Sequence, residues 1–248
     1  MSPVAIRPID YGERLRAGII LPSGNAVAEP EIRAMLPAGV SGLITRLALR
    51  GSSDRELMAM LDGLEAAARL LADAAVTTLV FHCTAVSTFA PHLGEEIRAR
   101  IVGATGLDAF ATSEALAAAF AALDARRITL LTPYNDAVHA REIAFLAGLG
   151  VEVVADANLG LETNGEMARL SPEELLDWAD RAAADATDAI FLSCTALRSA
   201  GLVAALEARK GCPVLTSNQA MVWHLLRRSA APSAPPGFGR LFAAGGPA

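Results

Sequence analysis

The stretch TLVFHCTAVS, residues 78–87, returns 111 positions later as AIFLSCTALR, residues 189–198. In each copy a short apolar run ends in Cys-Thr, and a pattern that recurs at one fixed interval is the mark of a duplicated unit. The surroundings recur as well. Pro22-Ser23 and Pro133-Tyr134 are again 111 positions apart, and Thr112-Ser113 and Thr216-Ser217 are separated by 104. Each pair follows an apolar run, in the same order. The chain therefore reads as two homologous βα halves, residues 1–125 carrying Cys83 and residues 126–248 carrying Cys194, with the break near residues 124–127.

Eight β-rich apolar runs are expected to be strands: 17–21, 42–49, 77–81, 107–111, 128–131, 151–155, 189–192 and 213–216. Between most of them lie Ala/Leu/Glu-rich stretches with apolar residues at three- and four-residue spacing, which predicts helices. One such helix is expected over 54–75, and another in SPEELLDWADRAAADATD, capped by Ser171 with Pro172 in its first turn. Strand and helix in alternation imply an α/β protein whose parallel sheets are covered on both faces.

That architecture also predicts the site. In open α/β sheets ligands lie beyond the carboxyl ends of strands, where unpaired backbone N–H groups collect. Every repeated landmark is at such an end, so two halves facing each other about a pseudo-twofold axis would bring Cys83 and Cys194 to one cleft from opposite sides. A thiol on each side of a substrate suits a racemase, which removes a proton from one face of a carbon and returns it on the other. It equally suits an isomerase that adds a thiolate to an alkene. Thr84 and Thr195 follow the cysteines where helices are expected to begin, placing hydroxyl and N–H donors near a bound carboxylate.

Composition narrows the class. No apolar run approaches the roughly 18 residues of a spanning helix, and the N-terminal segment lacks the apolar core of a secretory signal. The expectation is a cytoplasmic protein with no membrane partner. Three cysteines are too few for a disulfide framework. A formal charge of −6 without a basic stripe argues against nucleic acid, since Arg126-Arg127 and Arg227-Arg228 read as solvated helix ends. No metal-ligand spacing, P-loop, dinucleotide fingerprint or serine-hydrolase elbow is present. The chemistry outlined above needs no metal or organic cofactor. His82 is expected to support the site from behind, with His92, His139 and His224 as surface or packing residues and Cys212 as structural.

PSGNAVAEPE (22–31), LLTPYNDAV (130–138), LSCTALR (192–198), TSNQAMVW (216–223) and PGFGRLF (236–242), together with the Cys-Thr pair, resemble the aspartate/glutamate racemase superfamily. Within it the chain is similar to the branch containing maleate cis-trans isomerases and arylmalonate decarboxylases. The resemblance implies flavodoxin-like four-stranded parallel sheets with the active site between them. It also implies Cys83 as the nucleophile and Cys194 as the opposing general acid/base. By the same likeness Asn25, Tyr134 and Asn164 contact the substrate, with Thr84 and Thr195 beside them. Gly24 stands where serine is common, which predicts a wider carboxylate pocket. The decarboxylases carry glycine at the position of Cys83, so filling both positions favours an isomerase of a small unsaturated dicarboxylate, maleate to fumarate. The alternatives are a cofactor-independent racemase or decarboxylase of the same superfamily, and a non-catalytic module closing on a small anion. A homo-oligomer is compatible with the apolar helices. The PGFGRLF segment is expected to dock on the body.

Overall fold

The computed structural model describes residues 9–244. The stretch read for a secretory signal therefore lies partly outside the described residues. The first half runs β1 (Leu15–Pro22), α1 (Ala28–Met35), β2 (Val40–Leu47), α2 (Asp54–Ala59), α3 (Leu64–Asp73), β3 (Thr78–Phe81), α4 (Thr84–Ser87), α5 (Leu93–Thr105), β4 (Asp108–Ala111) and α6 (Thr112–Ala122). The second runs β5 (Arg127–Tyr134), α7 (Asp136–Gly148), β6 (Glu152–Leu161), α8 (Asn164–Met167), α9 (Pro172–Ala182), β7 (Ala189–Leu192), α10 (Val203–Lys210), β8 (Val214–Thr216) and α11 (Ser217–Arg228). Every apolar run read as a strand is one.

The two sheets have the same order, β2-β1-β3-β4 and β6-β5-β7-β8, and every pairing is parallel. The central strands β3 and β7 are buried at every residue, which is why they read as unbroken apolar runs rather than alternating ones. At the sheet edge β6 runs on to Leu161, well beyond VEVVA, because its half-buried residues do not need to be apolar.

The halves interlock through their last helices. Leu116, Ala119 and Phe120 of α6 pack against Ile128, Leu130, Phe191 and Leu215 of the second sheet. Met221, Val222 and Leu225 of α11 pack against Ile19, Val80 and Phe110 of the first. Each half thus lends a helix to the other's sheet, and the carboxyl ends of β3 and β7 are held facing one another.

Local sequence explains the remaining differences from expectation. The helix read over 54–75 is split into α2, a 3₁₀ turn at Met60–Gly63, and α3. A Cβ at Gly63 would stand 2.9 Å from Leu47 Cδ2, so this glycine marks the close approach of the segment to β2. Ser171 caps α9 as its sequence predicts: Ser171 Oγ accepts from Glu174 N–H (3.2 Å) and Glu174 Oε2 accepts from Ser171 N–H (2.8 Å). Arg127 opens β5 rather than ending a helix. The PGFGRLF segment docks, with Leu241 fully buried and Glu207 Oε1 accepting Arg240 N–H (2.9 Å). Among the described residues no helix is long and apolar enough to cross a membrane.

Candidate active site

Cys83 and Cys194 lie two residues beyond the ends of β3 and β7, and both line one small cavity between the halves. The backbone enters the two positions differently. Cys83 is extended (φ −149°) and caps the short α4, whereas Cys194 has φ +114°, a strained value for a residue with a side chain. No helix begins at Thr195; the chain turns there, and its next helical residues are the 3₁₀ turn Ala200–Leu202. The expectation of a helix start after both cysteines holds for the first alone. The 3₁₀ turn begins only after a stretch of turns that carries Cys194 away from helical geometry.

Despite that difference the two sulfurs receive equivalent donors. The N–H groups of Ala85 and Val86 favour the thiolate of Cys83. Those of Ala196 (3.2 Å to Sγ) and Leu197 do the same for Cys194, joined by the phenol of Tyr134. Ala85 and Val86 precede Ala196 and Leu197 by the same 111 positions that separate the cysteines. Burial opposes these donors and outweighs them. With Cys83 only 4% exposed and Cys194 3%, desolvation pushes both thiols up to about 12, and burial also lifts the Tyr134 phenol well above its ordinary range.

Thr84, Tyr134, Asn164 and Thr195 line the same cavity as the two cysteines. Thr84 Oγ1 donates to Ser217 Oγ (2.8 Å), which accepts the N–H of Cys194 (3.2 Å), so one hydroxyl ties both strand ends together. Asn25 is fully buried but does not line the cavity. Its carbonyl oxygen accepts the N–H groups of Val27 and Ala28 and its amide donates to Thr195 Oγ1, so its polar atoms are already engaged in holding Thr195. His82 supports the site from behind, with Nδ1 against Thr112 Oγ1 (3.0 Å) and Nε2 against Asn218 Oδ1 (2.8 Å). Asn218 accepts there because its Nδ2 donates to Glu31 Oε2 and to the carbonyl of Thr195.

The rest of the lining was not legible in the strand-end motifs. Leu49, Gly51 and Ser52 come from the β2–α2 connection, Leu57 from α2, and Glu162 and Met167 from around α8. Gly51 and Thr163 form an antiparallel bridge, bringing the two loops together over the site. Gly24 does not widen the pocket as expected: a Cβ there would meet the Leu49 carbonyl at 3.0 Å and the Asn164 side chain at 3.3 Å, because the loops fill that space. The remaining cavity is about 20 Å³, room for about one water. Among the described residues no lysine or arginine lines it, so all its donors are neutral.

The profile of the Amdase family, arylmalonate decarboxylase, matches residues 17–242. The maleate isomerase of Nocardia farcinica is 31% identical over 237 residues, covering 91% of this chain and 94% of the relative. The arylmalonate decarboxylase of Bordetella bronchiseptica is 37% identical over 142 residues, or 56% and 59% of the two chains. A cysteine-to-serine variant of the Nocardia farcinica maleate cis-trans isomerase, solved with a covalently bound succinylcysteine intermediate, superposes with a TM-score of 0.87 at 26% identity over 92% of this chain and 98% of that one.

Proposed function

The chain belongs to the arylmalonate decarboxylase family and is an enzyme, and from that premise we propose that it isomerises a small unsaturated dicarboxylate, maleate to fumarate, without a cofactor. The observation that carries this reading is the placing of Cys83 and Cys194 at equivalent strand ends on one cavity whose donors are all neutral. A plain decarboxylase needs one proton donor; a second thiol facing it has work to do in an addition–elimination. The succinylcysteine found in the Nocardia farcinica relative is the adduct that such an addition forms there, which supports the reading.

In this mechanism the Cys83 thiolate adds to one alkene carbon. The π pair moves to the neighbouring carbon and into its carboxylate, and Cys194 delivers a proton to that carbon. The former double bond is now single and rotates. Cys194 takes a proton back, the carbon–sulfur bond breaks, and the double bond re-forms in the trans geometry as the Cys83 thiolate leaves. Thr84, Tyr134, Asn164 and Thr195 hold the carboxylates, and each neutral donor aimed at the developing enediolate is worth about 2.7 to 4 kcal/mol. The N–H groups of Ala85 and Val86 oppose the burial that keeps Cys83 protonated, and entry of substrate through parted loops relieves that burial.

Proton NMR of maleate with the wild type and with Cys83→Ala tests the proposal. A fumarate resonance in the wild-type sample alone is the expected result, and silence from the wild type rejects maleate as substrate. Decarboxylation of a substituted malonate is a second reading, favoured by the apolar lining of Leu49, Leu57, Ala85 and Met167. Carbon dioxide released by Cys83→Ala but not by Cys194→Ala would put it first.

A further inference from the structure

Glu31 and Glu142 are 111 positions apart, the interval that also separates Cys83 from Cys194, and His82 from Ser193. Each glutamate lies on the first helix of its half, and each is wired to the residue that precedes a thiol. Glu31 reaches His82 through Asn218. Glu142 acts directly: Ser193 Oγ donates to its Oε1 over 2.5 Å.

Glu142 is 1% exposed, and its Oε2 has no hydrogen-bond partner among the described residues. Tyr134, at the end of β5, and Cys194, after β7, are the titratable groups that face it. On its own helix His139 is bound to Thr132 and Asp156, and the Arg141 guanidinium is paired with Asp54 and stacked on Phe89. Among the described residues no cation is paired with the carboxyl group, and a buried charge without a partner is costly.

We propose that Glu142 is a positioning residue for the second thiol: by anchoring Ser193 it holds the backbone of Cys194 in its left-handed turn, with Sγ between the Tyr134 phenol and the Ala196 N–H. The proposal rests on Cys194 being the acid/base of the reaction described above. Holding this turn takes more than the Cys194 backbone supplies, since φ +114° is disfavoured for any residue but glycine. The Ser193 N–H bond to Leu131 (2.9 Å) fixes one side of Ser193, and the carboxyl group fixes its hydroxyl. The same placement makes the charge of Glu142 felt at the sulfur. Burial pushes Glu142 up to about 7; as pH rises through that value the new negative charge stands behind Cys194 and Tyr134 and disfavours the thiolate.

The test is the rate of iodoacetamide alkylation of the intact protein from pH 6 to pH 9.5, resolved by mass spectrometry into the Cys194 and Cys83 peptides. The wild type is compared with Glu142→Gln, which keeps the shape and stays neutral, and Glu142→Leu, which removes the anchor. At pH 6 the Gln variant labels Cys194 at the wild-type rate; at pH 9 it is expected to label it about threefold faster or more, while Cys83 changes less. The Leu variant, folded by circular dichroism, loses the wild-type rate at Cys194 at every pH. Wild-type labelling of Cys194 in a folded Leu variant overturns the proposal; where Leu fails to fold, Ser193→Ala, which removes only the anchored hydroxyl, is read in its place, and coincident wild-type and Gln profiles overturn the charge effect at the sulfur. Wild-type protein that turns over no maleate but shows the divergent profiles refutes the substrate reading alone. Turnover with wild-type Cys194 labelling in the Leu or Ser193→Ala variant refutes the positioning role alone.

Discussion

The side-chain amide of Asn25 donates to the hydroxyl of Thr195 over 2.9 Å, joining residues 170 positions apart across the two halves. The same side chain's carbonyl oxygen accepts the N–H groups of Val27 and Ala28 at the start of α1. One residue thus begins a helix in the first half and fixes a threonine beside the thiol of the second. Asn25→Ala loses both roles and is expected to lower stability by about 1 to 2 kcal/mol, with kcat/KM falling more than about tenfold. Asn25→Asp keeps the acceptor for both N–H groups but loses the donor and buries a carboxyl group, so kcat/KM still falls and denaturant melts show a loss of stability that shrinks at acid pH, where the carboxyl group is neutral.

The β2–α2 connection and the segment around α8 meet over the cavity. Besides the Gly51–Thr163 bridge, Ser52 Oγ and Asn135 Nδ2 both donate to Glu162 Oε2, at 3.2 and 3.0 Å, and Asn164 N–H donates to the Arg50 carbonyl. A cavity of about 20 Å³ holds about one water, so these loops must part before a substrate of the proposed kind enters. Glu162→Ala removes the shared acceptor, and alkylation of both Cys83 and Cys194 at neutral pH is expected to speed up about three- to tenfold. Because Glu162 is exposed, the melting temperature should move little, with a stability change below about 1 kcal/mol. Unchanged labelling would mean that another contact limits opening.

The strands were legible because β3 and β7 are buried on both faces and therefore apolar throughout, and because the chain states its plan twice. The repeat also located both thiols. It failed where the copies diverge: Cys194 sits in a left-handed turn and Cys83 at a helix start, although the residues around them align. Asn25 was read as a substrate contact, and its part as a support for Thr195 was not legible, since a contact spanning 170 positions leaves no local trace. The two loops over the cavity follow the equivalent strands β2 and β6 but carry none of the repeated motifs, and Ser52 and Glu162 meet only because the halves face each other. Glu142 reads as an ordinary helix residue until Ser193 is seen against it.

Glu142 also sets a pH dependence of stability. Burial raises its folded-state value to about 7 from an ordinary 4.5, so the unfolded chain releases this proton first. The stability penalty is absent below about pH 4.5, grows as pH rises to about 7, and is constant above that. Its full size is on the order of 3 kcal/mol. Glu142→Gln is neutral in both states and escapes the penalty. Thermal melts are therefore expected to show equal melting temperatures for the two proteins near pH 4.5 and a more stable Gln variant at pH 8. His82, pushed down to about 4 by burial, acts at the other end of the range in both proteins alike: stability falls as pH drops from about 6.5 toward 4, because the unfolded chain takes up that proton first.

Cys83→Gly separates the two chemistries open to this site. The Cys83 backbone is extended, so glycine fits its conformation, and the substitution is expected to cost about 1 kcal/mol of backbone entropy rather than the fold. What it removes is the proposed nucleophile and some bulk, leaving Cys194 with its Tyr134, Ala196 and Leu197 donors. An addition–elimination then has no first step, so maleate turnover is expected to fall below detection. A substituted malonate needs only one proton delivered to the carbanion left by carbon dioxide, and Cys194 alone can supply it. The expected result is loss of fumarate formation together with gain or retention of malonate decarboxylation, followed by NMR and by carbon dioxide release on one preparation. Isomerisation that survives in Cys83→Gly would instead move the nucleophile's role to Cys194 and reverse the assignment of the two thiols.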